Sequence, residues 1–588
     1  MTGWWRSRQA LRNALAVAPL FALLAVFFFA PLLSTLWNSF FGWSFDFGKY
    51  LAVISEPVNF RILANTLKVG VLVTATALAV AYPLAYQMTK VGPRMFALVS
   101  ALVLIPLFTA FLIRTYAWIV ILGRQGIVNN ALIWLGLIDQ PLTILNTTVA
   151  VVIGMTHVFV PMAVFTIYSG MVRIDRSMLR AASALGAHPV QAFTRVYLPL
   201  TLPSVLSAGV LIFVVAIGFY ITPSLLGGPG DTMISQLVVV QMNTMLDFEM
   251  GYALSIVLLV ITLAILLLAG LVIPLETIWS TGLRSDQASP ERIDPARLRQ
   301  VLLAPLSPVL SAVEDGGYRL FRLFARVPVS WLGVYAGAAL VFLVAPLLVI
   351  VILSFSASPF VVFPPPGFSL QWWEKLYAAH DWHSAFLASV KLGVTAALCA
   401  TLIGTMGAFW LVRTSLKIKR MLFLFALAPL IVPVIVIATS LYVFEARLRI
   451  LGSFTGLVIG HTLLATPYVL IVMSSAIRNF DRTLERAAAI HGATPLQTLK
   501  MVTLPLLFPA LVTAALMAFL ASFDELLVTI FLIGRQTPTL PLKFWGDIKY
   551  QIDPMLSTAS TLIVLMVVVA ILATQYFHFR QARIRAGR

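Results

Sequence analysis

Two groups of residues in this 588-residue chain have types and spacing that point to chemistry. One is a pair of adjacent carboxylates, Asp524 and Glu525, set in a long apolar stretch. Ionisable side chains in such a stretch are expensive and mark solute or ion paths. Neighbouring residues on a helix point about 100° apart, so both cannot face lipid. At an interface between the repeats, one carboxylate can pair with a cationic solute. Tyr116, Tyr220, Phe523 and Trp118 are aromatic and can add cation–π contacts, although packing alone explains most aromatics in apolar helices. Arg114 lies in another apolar stretch and is the competing partner for the acidic pair. The other group is a segment that occurs twice. Residues 175–203 and 481–509 align without a gap at a constant offset of 306, with 14 of 29 positions identical. Unrelated segments would share roughly two.

Neither group is a catalytic centre. The chain has no G-x-x-x-x-G-K-[ST] loop to cradle nucleotide phosphates. Its seven His are scattered without metal-ligand spacing, and its single Cys399 excludes a disulfide framework and a cysteine metal site. No Ser/His/Asp arrangement is present. The expectation is no intrinsic catalysis, no metal and no cofactor held by this chain.

What must position these residues is a membrane bundle. The chain is 60% hydrophobic and 11% charged, with mean hydropathy +0.97, against about 45–50% and 25% for a soluble domain. A helix needs about 20 apolar residues to cross a bilayer. Twelve stretches qualify: 14–36, 69–87, 95–120, 148–171, 204–227, 252–274, 331–354, 392–412, 421–443, 454–477, 507–533 and 555–576. They are uniformly apolar, which argues for helices and against a β-barrel. The reading is an all-α polytopic membrane protein of about 12 transmembrane helices. With the N-terminus in the cytoplasm, 28 Lys and Arg fall on the cytoplasmic side and nine outside. That is the positive-inside pattern with both termini cytoplasmic. The net charge of +18 is therefore topological, and no nucleic acid is expected as a partner.

The repeat divides the chain into a first half, 1–275, a cytoplasmic linker, 276–328, and a second half, 329–588. The linker holds Pro290, Pro295, Pro305 and Pro308, with an interfacial helix expected over 317–327. Gly154/Gly460, Thr156/Thr462 and Pro161/Pro467 repeat at the same offset, and Lys68-Val69-Gly70 echoes Lys391-Leu392-Gly393. An even number of spans per half makes these parallel six-helix repeats. Both copies of the duplicated segment then face the cytoplasm. Each should fold as two short helices. Asp175 and Asp481 are suited to cap the first, and Gly186 and Gly492 to end it in a left-handed conformation. Pro189 and Pro495 are suited to open the second, with Thr494 as a cap. Ala181, Ala182, Ala487 and Ala488 keep one face low enough for another protein to approach, beside Arg180 and Arg486.

The duplicated segment resembles the "EAA" loop of the permease subunits of ABC importers, which reads Glu-Ala-Ala, three residues, Gly, nine residues, Ile-x-Leu-Pro. Arg180-Ala181-Ala182, Gly186, Val196 and Leu198-Pro199 fit it, as do Arg486-Ala487-Ala488, Gly492, Val502 and Leu504-Pro505. Arg replaces Glu in both copies, and Glu485 sits one place early in the second. The resemblance extends to polyamine (spermidine/putrescine) permeases. It rests on Arg114-Thr115-Tyr116-Ala117-Trp118, Gly218-Phe219-Tyr220-Ile221-Thr222-Pro223 with Leu226-Gly227-Gly228, and Phe363-Pro364-Pro365-Pro366-Gly367-Phe368-Ser369-Leu370. Ser522-Phe523-Asp524-Glu525 and Thr539-Leu540-Pro541-Leu542 complete it. The chain looks like both permeases of such a pair fused in one.

This resemblance implies a duplicated type I importer permease fold in a bacterial cytoplasmic (inner) membrane. It implies two coupling loops that dock on a cytoplasmic ABC ATPase dimer, where ATP and Mg2+ are bound, and a periplasmic or extracellular solute-binding protein. The implied coupling residues are Arg180, Ala181, Ala182, Gly186, Pro189, Arg486, Ala487, Ala488, Gly492 and Pro495. The expected substrate path holds Asp524, Glu525, Tyr220, Phe523, Arg114 and Tyr116. The small-molecule substrate is expected to be a polyamine or related organic cation. Fe(III), aminoethylphosphonate and an ion-coupled secondary transporter remain open.

Overall fold

A computed structural model describes residues 17–41, 47–272, 330–414, 416, 418–534 and 538–586, with backbone alone at 570–571 and 573–586. The expected linker, 276–328, lies outside the described residues. The described residues are helical, with one isolated bridge between Ser356 and Phe368. Among the described residues, ten helices are long and apolar enough to cross a membrane: Val17–Phe40, Pro57–Met88, Phe111–Trp134, Thr148–Met171, Pro189–Ile217, Phe248–Leu271, Trp331–Leu353, His380–Arg413, Phe454–Arg478 and Pro495–Phe523. Pro93–Phe108 is a shorter apolar helix, and the last helix runs from Pro554 to Ala586.

The third and ninth expected spans are not continuous, and the breaks have a local cause. The third expected span, 95–120, is two helices, Pro93–Phe108 and Phe111–Leu122. The ninth, 421–443, is Lys419–Ala426, Ala428–Ile431 and Val434–Arg447. Both break at the same point of the repeat. Thr109 and Ala110 take φ/ψ of −87/136° and −51/141°. Val432 and Pro433, 323 residues later, take −75/131° and −53/134°. Pro433 explains its own break, because a proline pushes the preceding residue into extended backbone. Ala110 adopts the same geometry without one.

The fifth and eleventh spans break alike. Leu198–Ile217 stops at Gly218 (−91/0°), and the chain turns helical again over Ile221–Leu226 after Tyr220 (−112/−46°). Leu504–Phe523 stops at Asp524 (−92/−4°), and Leu527–Leu532 follows Leu526 (−107/−45°). Each fifth-type span also opens on a π-helical turn, Phe193–Tyr197 and Leu499–Thr503, just before its Leu-Pro. Proline offers no N–H to the carbonyl four residues back, and the wider turn takes up the mismatch.

The residues form two compact units that do not coincide with the halves of the sequence. One is built from Met1–Arg61, Ile234–Thr262 and Ala379–Asp547; the other from Ile62–Met233, Leu263–Ala378 and Ile548–Arg588. In the unit dominated by second-half residues, the core is the mutual packing of His380–Arg413, Phe454–Arg478 and Leu504–Phe523. The first helix of the chain joins it. Thr35 donates to the Ser440 hydroxyl at 3.0 Å, and Arg447 donates to Ser34 at 3.0 Å and Asn38 at 2.8 Å. In the other unit, Thr148–Met171 packs on Leu198–Ile217, and Trp331–Leu353 packs on the two helices of the third span. His157 Nε2 lies 3.0 Å from the Leu343 carbonyl, and the Tyr116 and Ser557 hydroxyls lie 2.9 Å apart.

The repeated glycines now have a physical reason. A Cβ on Gly154 would lie 2.4 Å from Leu226 and 2.8 Å from Thr222; one on Gly460 would lie 3.0 Å from Leu532 and 2.8 Å from Val528. These contacts are equivalent in the repeat. The short helix after each break presses on the fourth span of its half, where only glycine leaves room. Small residues are what let helices approach in a membrane.

Candidate functional site

The duplicated segments fold as two short helices in each unit. In the first copy the helix is Ser177–Ala184 and in the second Thr483–Ile490. Asp175 accepts a hydrogen bond from the Ser177 N–H at 2.8 Å, and Asp481 from the Thr483 N–H at 2.8 Å. Each aspartate therefore caps from one residue further out than the N-cap, which is Arg176 or Arg482. The Ser177 hydroxyl and N–H hold the Asp175 carboxyl below the ordinary carboxylate range. The Thr483 N–H does the same for Asp481.

Gly186 and Gly492 end the helices at φ +89° and +82°. The N–H of Ala187 reaches the Ala182 carbonyl at 3.1 Å, and that of Ala493 the Ala488 carbonyl at 3.0 Å. This is a glycine-closed C-terminus. Pro189 and Pro495 are the first residues of the second short helices. Thr494 and Gln497 form a capping box, as do His188 and Gln191. The His188 cap was not legible, since histidine is a rare residue at that position; Gln191 three residues on was the available signal.

No residue of either first helix is buried. Arg180, Ala181, Arg486 and Ala487 are exposed, Ala182 and Ala488 half-exposed. Leu185 and Ile490 are 89% and 84% exposed. No atom lies within 4 Å of a Cβ built on Gly186 or Gly492. A helix of this length without a buried face must gain its packing from something else. In the second copy, Glu485 accepts from Arg413 Nη2 and from the Thr503 hydroxyl, each at 2.7 Å. Burial pushes the Glu485 carboxyl up, but these two donors outweigh it and hold the group below its ordinary value. In the first copy, Arg176 donates to the Thr89 carbonyl.

The second candidate region is the pair of broken spans in each unit. Irregular backbone at membrane depth is tolerated only where protein covers it or a cavity bathes it, and interrupted helices are where transporters hold solute. In one unit the breaks at Thr109–Ala110 and Gly218–Tyr220 lie together. Thr115 and Thr222 share a hydrogen bond at 2.9 Å, and the Phe111 and Phe219 rings meet edge-on at 5.5 Å. Arg114 is 1% exposed, with its guanidinium 4.7 Å from the Phe111 ring centre and Nη1 donating to the Val158 carbonyl at 3.2 Å. Tyr116 and Tyr220 are buried as well.

In the other unit, Phe523, Asp524 and Glu525 are half-exposed at the break of the eleventh span. Glu525 Oε1 accepts from the Val528 N–H at 3.0 Å and so also starts the short helix Leu527–Leu532. Phe523 stacks on Phe519 at 5.3 Å. Tyr468, on the tenth span, lies within electrostatic reach of both carboxylates. It was not anticipated; its place directly after the repeated Pro467 was the signal. The expected path residues thus fall into two sets: Arg114, Tyr116 and Tyr220 in one unit, and Phe523, Asp524 and Glu525 in the other.

The acidic loop between the fifth and sixth spans is largely committed to its own structure. Asp231 accepts from the Gly228 N–H at 3.1 Å and from Thr148. Asp247 and Glu249 lie 3.2 and 3.9 Å from Lys49 Nζ. Among the described residues, no group of three His, Cys, Asp or Glu is placed to hold a metal ion.

Comparison with known proteins gives a consistent picture. The model of the family described as "Binding-protein-dependent transport system inner membrane component" matches residues 74–274 and again 400–582. The spermidine/putrescine transport system permease protein PotB of Escherichia coli (strain K12) is 32% identical over 223 residues, 38% of this chain and 81% of that protein. The putrescine transport system permease protein PotI of the same strain is 33% identical over 229 residues, again 38% of this chain and 81% of that protein. Among solved structures, a bacterial alginate ABC transporter in complex with an alginate pentasaccharide-bound periplasmic protein matches with TM-score 0.39 and 19% identity, over 46% of this chain and 96% of that one.

Proposed function

We propose, from the premise that this chain belongs to the family of binding-protein-dependent transport system inner membrane components and is two ABC importer permeases fused in one polypeptide, that it forms the path by which a polyamine or similar organic cation enters the cell. The observation that carries the solute reading is the half-exposed Asp524–Glu525 pair at the break of the eleventh span. Two carboxylates beside Phe523 and Tyr468 offer charge and aromatic faces to a flexible polycation. Glu525 Oε1 accepts from the Val528 N–H, which holds the carboxylate at the break. The substrates named for PotB and PotI are of that chemistry.

In this reading the two duplicated loops are the coupling helices. Each meets one monomer of a cytoplasmic ATPase dimer, which binds ATP and Mg2+, and both chain termini face the cytoplasm. The exposed Leu185 and Ile490 supply the apolar contact. An external solute-binding protein delivers the cation. Closure of the ATPase dimer drives the loops together, and the spans rock between outward- and inward-open arrangements.

Uptake of labelled putrescine or spermidine, in cells whose only importer contains this permease, tests the solute. Asp524→Asn and Glu525→Gln keep shape and hydrogen bonding but remove charge. Each is expected to lower uptake by about tenfold or more, the cost of losing a hydrogen-bonded charge contact. Unchanged uptake in both variants, or uptake of 2-aminoethylphosphonate or Fe(III) in place of the polyamine, refutes it. Uptake into vesicles without ATP or an ATPase subunit refutes the coupling.

A further inference from the structure

We propose that a cavity beside the first duplicated loop binds the phosphate of an anionic phospholipid, in the place that a carboxylate fills in the other half of the repeat. The cavity is lined by Thr89, Phe96, Tyr168, Arg176 and Tyr197, among others. It opens where two spans end, after Met88 and after Met171, which is headgroup depth for a chain of this kind.

The repeat shows what is missing there. In the second half, Glu485 ties Arg413 to Thr503, at 2.7 Å each. The equivalent positions in the first half are Leu179, Lys90 and Tyr197, by offsets of 306 for the loop and 323 for the earlier span. The cation and a hydroxyl are retained, and the anion between them is replaced by leucine. Lys90 Nζ rests 4.0 Å above the Tyr86 ring, and Arg176 reaches back to the Thr89 carbonyl. Asp175, the carboxylate beside Arg176 in sequence, accepts from the Ser177 hydroxyl and N–H. Arg176 lines the opening, and Lys90 stands in sequence between the lining residues Thr89 and Val91; a cation at an opening with aromatic and apolar walls suits a phosphate carried on an apolar body, and Phe96 and Tyr168, 5.2 Å apart, stand where interfacial aromatics belong. The inference does not depend on the solute.

The delipidated full-length permease in detergent is titrated with phosphatidylglycerol and, separately, with phosphatidylcholine, and bound lipids are counted by native mass spectrometry. Wild type is expected to hold one more phosphatidylglycerol than Leu179→Glu, whose new carboxylate takes the site, with at least tenfold weaker binding at that site in the variant. Leu179→Gln, of equal shape without charge, is expected to keep the lipid. Glu485→Leu, which empties the equivalent place in the second half, is expected to gain one. Equal counts in wild type and Leu179→Glu overturn the proposal, as does equal retention of phosphatidylcholine. Loss in the Gln variant as well would assign the effect to shape and overturn it too. Displacement of the lipid by inorganic phosphate at matched concentration would make a free anion the ligand and overturn the lipid assignment.

Discussion

Gly492 sits at φ +82° with nothing within 4 Å of where a Cβ would be. A side chain there meets backbone strain of roughly 1–2 kcal/mol but no neighbour inside the chain. Gly492→Trp is therefore expected to insert and to melt within a few degrees of wild type, while stimulation of the partner ATPase and transport are lost. Normal transport by this variant would mean that the loop does not enter a partner. Glu485 makes a second prediction at this scale. Its folded carboxyl lies below the ordinary value, so its contribution is complete above about pH 4.3 and is lost as pH falls through the folded value. Glu485→Gln is expected to cost on the order of 1 kcal/mol at neutral pH, as half-exposed ion pairs do. The cost should vanish in acid; a difference in melting temperature that stays constant down to pH 3 would contradict the pairing with Arg413.

At the scale of elements, the duplicated loops were legible, the His188 cap apart, because their features had residue types to announce them: Asp before the first helix, Gly after it, Pro opening the second. The breaks were not. Residues 95–120 are apolar apart from Arg114 and a few hydroxyl residues, and hydropathy alone cannot see a turn at Thr109–Ala110, where no proline or glycine stands; Pro106 lies inside the helix that precedes it. Proline at Pro433 was visible but could equally have kinked a continuous helix. Only the shared geometry of the two halves shows that both spans stop there. That geometry makes a prediction. Ala110 has φ −51° and follows an extended Thr109, as a proline requires. Ala110→Pro should be tolerated, between neutral and about 1 kcal/mol stabilising through the unfolded chain. Ala117→Pro, inside Phe111–Leu122, should cost about 3 kcal/mol or more. Thermal melts of the two variants decide it: similar losses would mean that the third span is continuous.

At the scale of the whole molecule, the sequence repeat and the compact units are different divisions of one chain. Hydropathy and the offset of 306 could reveal the first, because both are properties of local sequence. They could not reveal the second, which depends on which helices exchange. Each unit closes with elements of the opposite half. Thr35 meets Ser440 and Arg447 meets Ser34 and Asn38 in one; Tyr116 meets Ser557, His157 the Leu343 carbonyl and Tyr335 the Ala79 carbonyl in the other. Buried polar groups such as Tyr116 and His157 lose about 1–3 kcal/mol each when a partner is taken away. A half expressed alone would strip several at once, and a domain has only about 5–15 kcal/mol to lose. Cutting the chain within 276–328 should therefore leave two fragments that are each degraded alone but survive when made together. They should also co-purify through a tag on either one, because the exchanged helices hold each unit closed without the covalent link. Stable accumulation of residues 1–275 on their own would show that the first half completes its core without the second.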